Sequence, residues 1–265
     1  MRFLPVLALL LTACTAVAEE PAPPTPTPAP PEVPAGAEAP TPEVDALLDQ
    51  IEARAAELKT YRVDKLVFKT SMLTGDEQRR LGTLAYEAGP PGKFAVHFNK
   101  LITGEGRADA MDTKYIFDGR WLLERNGFDK VAVKRQVVPP DRDPAMVDPL
   151  ASGRGPFVLP LRPTKAELLR RYHVELQPVS DDDPGDSVHL RLTPRDAAAG
   201  DLRTLDLWYG RKSLLPLRAR VDADDVTTIE LRDAKADAEL KDGTFDTTLP
   251  DDPSWKTELR PWEER

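Results

Sequence analysis

The side chain best equipped for covalent chemistry is the chain's only cysteine, Cys14. It closes the stretch Leu11-Thr12-Ala13-Cys14, where the apolar run Phe3 to Leu11 ends behind one positive charge, Arg2. A charged start and a short greasy centre are the pattern of an export signal, too short to span a bilayer stably. Two processing sites compete. Cleavage before Cys14 fits a lipobox and frees the amino group and sulfur for acylation; cleavage after Ala16-Val17-Ala18 is ordinary secretion and removes the cysteine. On either route the mature domain has no disulfide and no thiolate metal site, so its core must hold it together.

Other reactive residue types do not converge. His97, His173 and His189 are scattered, each on the polar side of an expected strand, without metal-ligand spacing. Gly104-Glu105-Gly106 lacks the third glycine of a dinucleotide loop, and Ser152-Gly153-Arg154-Gly155 is not a nucleophile elbow. Asp181-Asp182-Asp183-Pro184-Gly185-Asp186 has the carboxylates of a calcium loop, but a proline interrupts it and the distal glutamate is missing; a solvated hairpin turn accounts for it. No catalytic residue, metal site or cofactor is expected, and an enzyme is the weaker class.

The formal charge is −9, and −10 once Arg2 leaves with the signal. No basic run offers a phosphate footprint, which argues against nucleic acid and against simple electrostatic docking on anionic lipid. The expected organisation is an export signal over residues 1–18, a Pro-rich linker over 19–43, a folded domain over 44–250 and a tail over 251–265. The linker carries ten prolines in 25 residues. Such a segment is stiff and extended, and at ~3.1 Å per residue it reaches roughly 75 Å.

The elements that must position any site follow from periodicity. Val44, Leu47, Leu48, Ile51, Ala55 and Leu58 recur at helical spacing and predict an amphipathic helix over Val44 to Leu58. Phe94, Val96 and Phe98, then Val131 and Val133, then Val188, Leu190 and Leu192, then Leu215, Leu217, Ala219 and Val221 alternate with polar residues. That period marks antiparallel strands with one face wet. Turns are expected at Gly89-Pro90-Pro91-Gly92, Asp118-Gly119, Asn126-Gly127, Asp183-Pro184-Gly185 and Asp242-Gly243. Two further helices are expected, Pro144 to Ser152 and Thr164 to Arg171. The expected class is mainly β with helices, a curved sheet meeting the greasy face of an N-terminal helix.

Specific residues then resemble a known family. Gly82-Thr83-Leu84, a proline turn and Lys93-Phe94-Ala95-Val96-His97-Phe98 resemble the second and third strands of the LolA/LolB superfamily of lipoprotein carriers and outer-membrane receptors. Phe117-Asp118-Gly119-Arg120-Trp121-Leu122 is similar to its early hairpin, and Gly155-Pro156-Phe157-Val158-Leu159 to the opening of its mid-chain plug. Tyr172-His173-Val174, Leu192-Thr193-Pro194 and Phe245 with Pro250 follow in the same order, so the resemblance spans about Val44 to Pro250.

The resemblance implies an unclosed antiparallel β-barrel, a half-barrel of about eleven strands with an N-terminal amphipathic helix and a mid-chain helical plug, whose cleft takes up acyl chains in the periplasm. Each methylene kept from water contributes ~0.8 kcal/mol, so a chain of about fourteen carbons resists leaving a membrane by roughly 11 kcal/mol unless an apolar cleft receives it. The expected cleft residues are Leu84, Phe94, Val96, Phe98, Val131, Val133, Leu190, Leu192, Leu205, Leu207, Leu217 and Val221; the same positions would equally serve as plain core. Leu101 and Ile102 are the expected membrane-contact loop, or simply the end of their strand. Ala88-Gly89 stand where carriers of the family place an arginine before the proline, whereas the anchor and spacer suit the receptor branch. Thr15 after the cysteine is not the aspartate that retains lipoproteins in the inner membrane. The expectation is therefore an exported, monomeric periplasmic protein tethered to the outer membrane through acylated Cys14, binding lipoprotein acyl chains or lipid. The alternative is an envelope sensor or interaction module on the same scaffold, its barrel filled by its own side chains.

Overall fold

A computed structural model describes residues 40–104, 106–143, 159, 161–196 and 201–262. Cys14, the signal, nearly all of the linker, the expected helix Pro144 to Ser152 and most of Gly155 to Leu159 lie outside them.

Thr41 caps the first helix, α1 (Pro42–Glu57): its Oγ1 accepts from the Val44 amide at 3.4 Å, and Pro42 follows at the first helical position. The helix thus starts two residues before the expected Val44, because the last proline of the linker already has helical geometry. It buries Val44, Leu48, Ile51 and Ala55, the stripe that the spacing predicts. The second helix, α2 (Lys165–Arg171), is capped by Thr164. The two helices are tied by Lys165, whose Nζ lies 2.8 Å from Asp45 and 2.9 Å from Asp49.

Twelve strands follow the alternation: β1 (Thr60–Ser71), β2 (Glu77–Glu87), β3 (Lys93–Thr103), β4 (Ala108–Phe117), β5 (Trp121–Asn126), β6 (Val131–Gln136), β7 (Tyr172–Gln177), β8 (Ser187–Pro194), β9 (Thr204–Gly210), β10 (Pro216–Asp222), β11 (Val226–Ala236) and β12 (Lys256–Arg260). They form one sheet that does not close, in the order β12-β6-β5-β4-β3-β2-β1-β11-β10-β9-β8-β7. This is the half-barrel expected, with one strand more than the resemblance implies. The extra strand comes from the tail. β12 lies parallel to β6, with all five residues exposed, while every other pair is antiparallel. Backbone pairing and the Trp255 ring, 4.4 Å from Arg125 and 5.1 Å from Lys130, hold it there. The tail therefore covers an edge that would otherwise present unpaired amides and carbonyls.

The expected turns join these strands. At the second, Asp118 Oδ1 accepts from the amides of Arg120 and Trp121 at 2.9 and 2.8 Å, and its Oδ2 accepts from Thr247 at 2.6 Å, pinning the returning C-terminal segment. Register shifts fall side by side in three neighbouring pairs, at Val63/Leu66, Leu81/Gly82 and Phe98/Lys100. Bulges bend strands and increase their twist, and a row of them curls the sheet. Gly82 sits in that row because the His97 carbonyl oxygen occupies the place its Cβ would take.

Candidate functional site

Pairing register decides which side chains share a face. Leu84 stands opposite Val96, Tyr86 opposite Phe94 and Phe94 opposite Phe117; Leu190 stands opposite Leu207, and Leu205 opposite Val221. The Phe94 and Phe117 rings stack at 5.7 Å, and Phe98 meets Phe68 edge-on at 5.8 Å and Tyr115 at 6.4 Å. The result is one continuous apolar face, which packs in a single cluster with Val44, Leu48 and Ile51 of α1 and Leu168 of α2. We call it the inner face.

Of the expected cleft residues, Leu84, Phe94, Val96, Phe98, Leu190, Leu192, Leu205 and Leu207 are buried, none more than 3 % exposed. Val131, Val133, Leu217 and Val221 are half-buried. Leu217 falls at the register shift between Pro216 and Arg218. Leu101 and Ile102 lie within β3, half-buried and paired with Arg80 and Arg79, so they end a strand rather than project from a loop. Among the described residues, the large apolar side chains that project at that end of the sheet are Leu73 in the β1–β2 turn, 76 % exposed, and Phe128 in the β5–β6 turn, 64 % exposed. Alternation marks strands, and an isolated apolar residue in a turn has no periodicity to mark it. Between the β1–β2 and β3–β4 turns lies a polar cleft of about 590 Å³ lined by Asp76, Glu77, Arg79 and Thr103, away from the apolar face.

Toward β6 the inner face changes character. Glu124 pairs across the strands with Tyr115 and Val133, and Arg135 pairs with Leu122, so these polar groups share the apolar phase. Arg135 Nη2 donates to Glu124 Oε2 at 2.8 Å, and Tyr115 Oη donates to Glu124 Oε1 at 3.4 Å. Burial first, then the charge of Glu124, pushes the Tyr115 pKa up, while Arg80 and Arg135 pull it the other way. Charged residues at apolar phase positions were the available signal for this cluster.

The outer face carries a second polar group. Asp206 on β9 is 1 % exposed, with its Oδ1 2.9 Å from His189 Nε2 and 2.8 Å from Arg191 Nε, and its Oδ2 3.6 Å from Arg220. His189 stacks on Trp208 at 4.1 Å, and the Trp208 indole donates to Asp183 at 2.6 Å. Burial opposes ionisation of Asp206, but hydrogen bonds from His189 and Arg191, with their charges, outweigh it and hold its pKa below the ordinary value. This network explains the aspartate-rich turn: Asp183 ties it to the sheet, and Ser180 and Asp183 close it with their own hydrogen bonds. His97 is satisfied by Asp112 at 2.8 Å, and His173 points to solvent. Among the described residues no group of carboxylate, imidazole or thiol side chains is placed to hold a metal ion.

No family model matches the chain, and no curated sequence matches it significantly. Solved structures resemble it at low identity. One is LprF from Mycobacterium bovis, at 14 % identity, covering 80 % of this chain and 98 % of that one with a TM-score of 0.42. A second is a LolA superfamily protein from Nitrosomonas europaea, at 15 % identity, 75 % and 97 % coverage and a TM-score of 0.34. A third is the MucA/MucB complex from Pseudomonas aeruginosa, at 14 % identity, 78 % and 61 % coverage and a TM-score of 0.42.

Proposed function

We propose that this chain is an exported envelope protein that takes acyl chains of a lipid or lipoprotein onto the inner face of its half-barrel, by binding and release without covalent chemistry. The supporting observation is the continuous apolar face of an open sheet, packed against helices rather than closed by strands. Helices can shift off a sheet without breaking its ladder, and α1 is held by a stripe of four buried side chains and by Lys165. Leu84, Phe94, Val96, Phe98, Leu190, Leu192, Leu205 and Leu207 would line the cleft once the helices move, with Val131, Val133, Leu217 and Val221 at its margins. Cys14, acylated, would anchor the protein in the outer membrane, residues 19–43 acting as spacer to a monomeric domain over 44–250. Leu73 and Phe128 are better placed than Leu101 and Ile102 to touch a bilayer.

The near-complete burial of the eight central residues favours a second reading, a sensor or interaction module whose interior is filled by its own side chains. Native mass spectrometry of the full mature chain, purified from envelope membranes in mild detergent, separates them. A chain starting at acylated Cys14 with additional non-covalent lipid is the expected result. A chain that carries no lipid, and whose native state does not brighten the apolar dye ANS, would mean the filled module.

A further inference from the structure

The strand that covers the β6 edge fits it poorly. In the register of β12 on β6, Lys256 stands opposite Val131, Glu258 opposite Val133 and Arg260 opposite Arg135. Val133 in turn stands opposite Glu124, so β12 sets its charged side chains on the phase of the inner face, against two valines and an arginine. Arg260 instead donates to Glu258, at 2.7 and 2.8 Å. On the other phase Leu259, 55 % exposed, stands opposite Lys134. All of β12 is exposed, so it buries no apolar side chain of its own, and like charges directly opposite each other oppose pairing. Among the described residues this ladder is also the parallel pair of an otherwise antiparallel sheet, and parallel pairing is slightly weaker per residue. What holds β12 is its backbone pairing, the Lys256 amide on the Lys130 carbonyl at 2.8 Å and the Trp255 ring against Arg125 and Lys130.

We propose that β12 is a displaceable cover and that the β6 edge is the docking site for an extended segment of a partner protein, which adds as a strand in its place. The register states the chemistry of that segment: apolar side chains at alternate positions to meet Val131 and Val133, and a carboxylate on the opposite phase to meet Lys134. Such a segment replaces the backbone hydrogen bonds of β12, adds apolar contact that β12 does not make and pairs a charge that Leu259 leaves facing an alkyl chain. The site is a sheet edge and stands or falls independently of lipid binding.

The test is fluorescence anisotropy of the full mature chain with a labelled synthetic peptide that alternates valine with threonine and carries one glutamate placed to face Lys134. The peptide is expected to bind. Lys134→Glu should weaken it at least about threefold, and a peptide with lysine in place of the glutamate should recover that loss. Glu258→Val gives β12 the apolar residue that its register calls for and should weaken peptide binding by about threefold or more. A disulfide joining Val133→Cys to Glu258→Cys locks β12 in place and should abolish binding, with reduction restoring it. Binding that the lock leaves unchanged puts the peptide elsewhere and overturns the proposal, as does an absence of binding to wild type and to the reduced form. A dimer in native mass spectrometry that the lock abolishes, with no peptide bound, would make a second copy the occupant and overturn the partner segment.

Discussion

Replacing Asp206 by asparagine removes a charge and almost no volume, at a carboxylate that is 1 % exposed with His189 at 2.9 Å and Arg191 at 2.8 Å. Hydrogen bonds to a charged group contribute ~1.5–3 kcal/mol each, so the two short contacts set a ceiling of about 3–6 kcal/mol. The loss is smaller than that ceiling. Arg191 and Arg220 are 39 % and 38 % exposed and regain hydration when their partner goes, and the asparagine oxygen still accepts one bond. The expected destabilisation near neutral pH is about 2–4 kcal/mol, and at roughly 2–4 °C per kcal/mol for a domain of this size Tm falls by roughly 5–15 °C. The pH signature is the sharper part. A carboxylate whose folded pKa is lowered contributes stability that is complete above its unfolded value, near ~4, and is lost as pH falls through the folded value. The gap between wild type and Asp206→Asn should therefore be full above about pH 5 and close as the solution is acidified below about pH 4. Urea unfolding of the two proteins across that range measures it. A gap that keeps its size in acid, or no gap at neutral pH, refutes the assignment of Asp206 as an ionised hub.

Two further substitutions test the interior. Gly82→Ala drives a methyl group into the His97 carbonyl, a backbone atom that no rotamer change can move, and should cost about 3 kcal/mol or more; a thermal melt within ~2 °C of wild type would show that the bulge row relaxes freely. Tyr209→Phe should be stabilising by about 1 kcal/mol, because the Tyr209 hydroxyl is buried with no partner among the described residues, whereas Tyr61→Phe should be destabilising by about as much, since Tyr61 donates to the Pro216 carbonyl at 2.7 Å. Parallel denaturant titrations compare the signs, and equal signs contradict the hydrogen-bond assignments.

Much of the architecture was legible in the chain because alternation and turn chemistry are local. Val188, Leu190 and Leu192 alternate with polar neighbours because β8 has one buried face, and Asp118-Gly119 turns because the Asp118 side chain captures the two following amides. The helical stripe from Val44 to Ala55 is local in the same sense. Period two says which side chains share a face of one strand. It does not say which strand lies alongside.

Strand order belongs to the folded chain. β1 pairs with β11 across some 160 residues, and the last segment crosses to the far edge to lie parallel to β6, although its sequence, Lys256 to Arg260, has no apolar stripe to announce a strand. The polar cluster of the inner face has the same origin: Tyr115, Glu124 and Arg135 come from three strands, and only pairing register sets them on one side. Asp206 likewise reads as one more charge in an acidic chain until β8, β9 and β10 bring His189, Arg191 and Arg220 around it. The sequence alone determined the faces, the turns and the apolar phase, because each depends on near neighbours along the backbone. The tertiary structure decided which charges meet, because hydrogen-bond pairing between distant strands, and not spacing along the chain, sets that geometry.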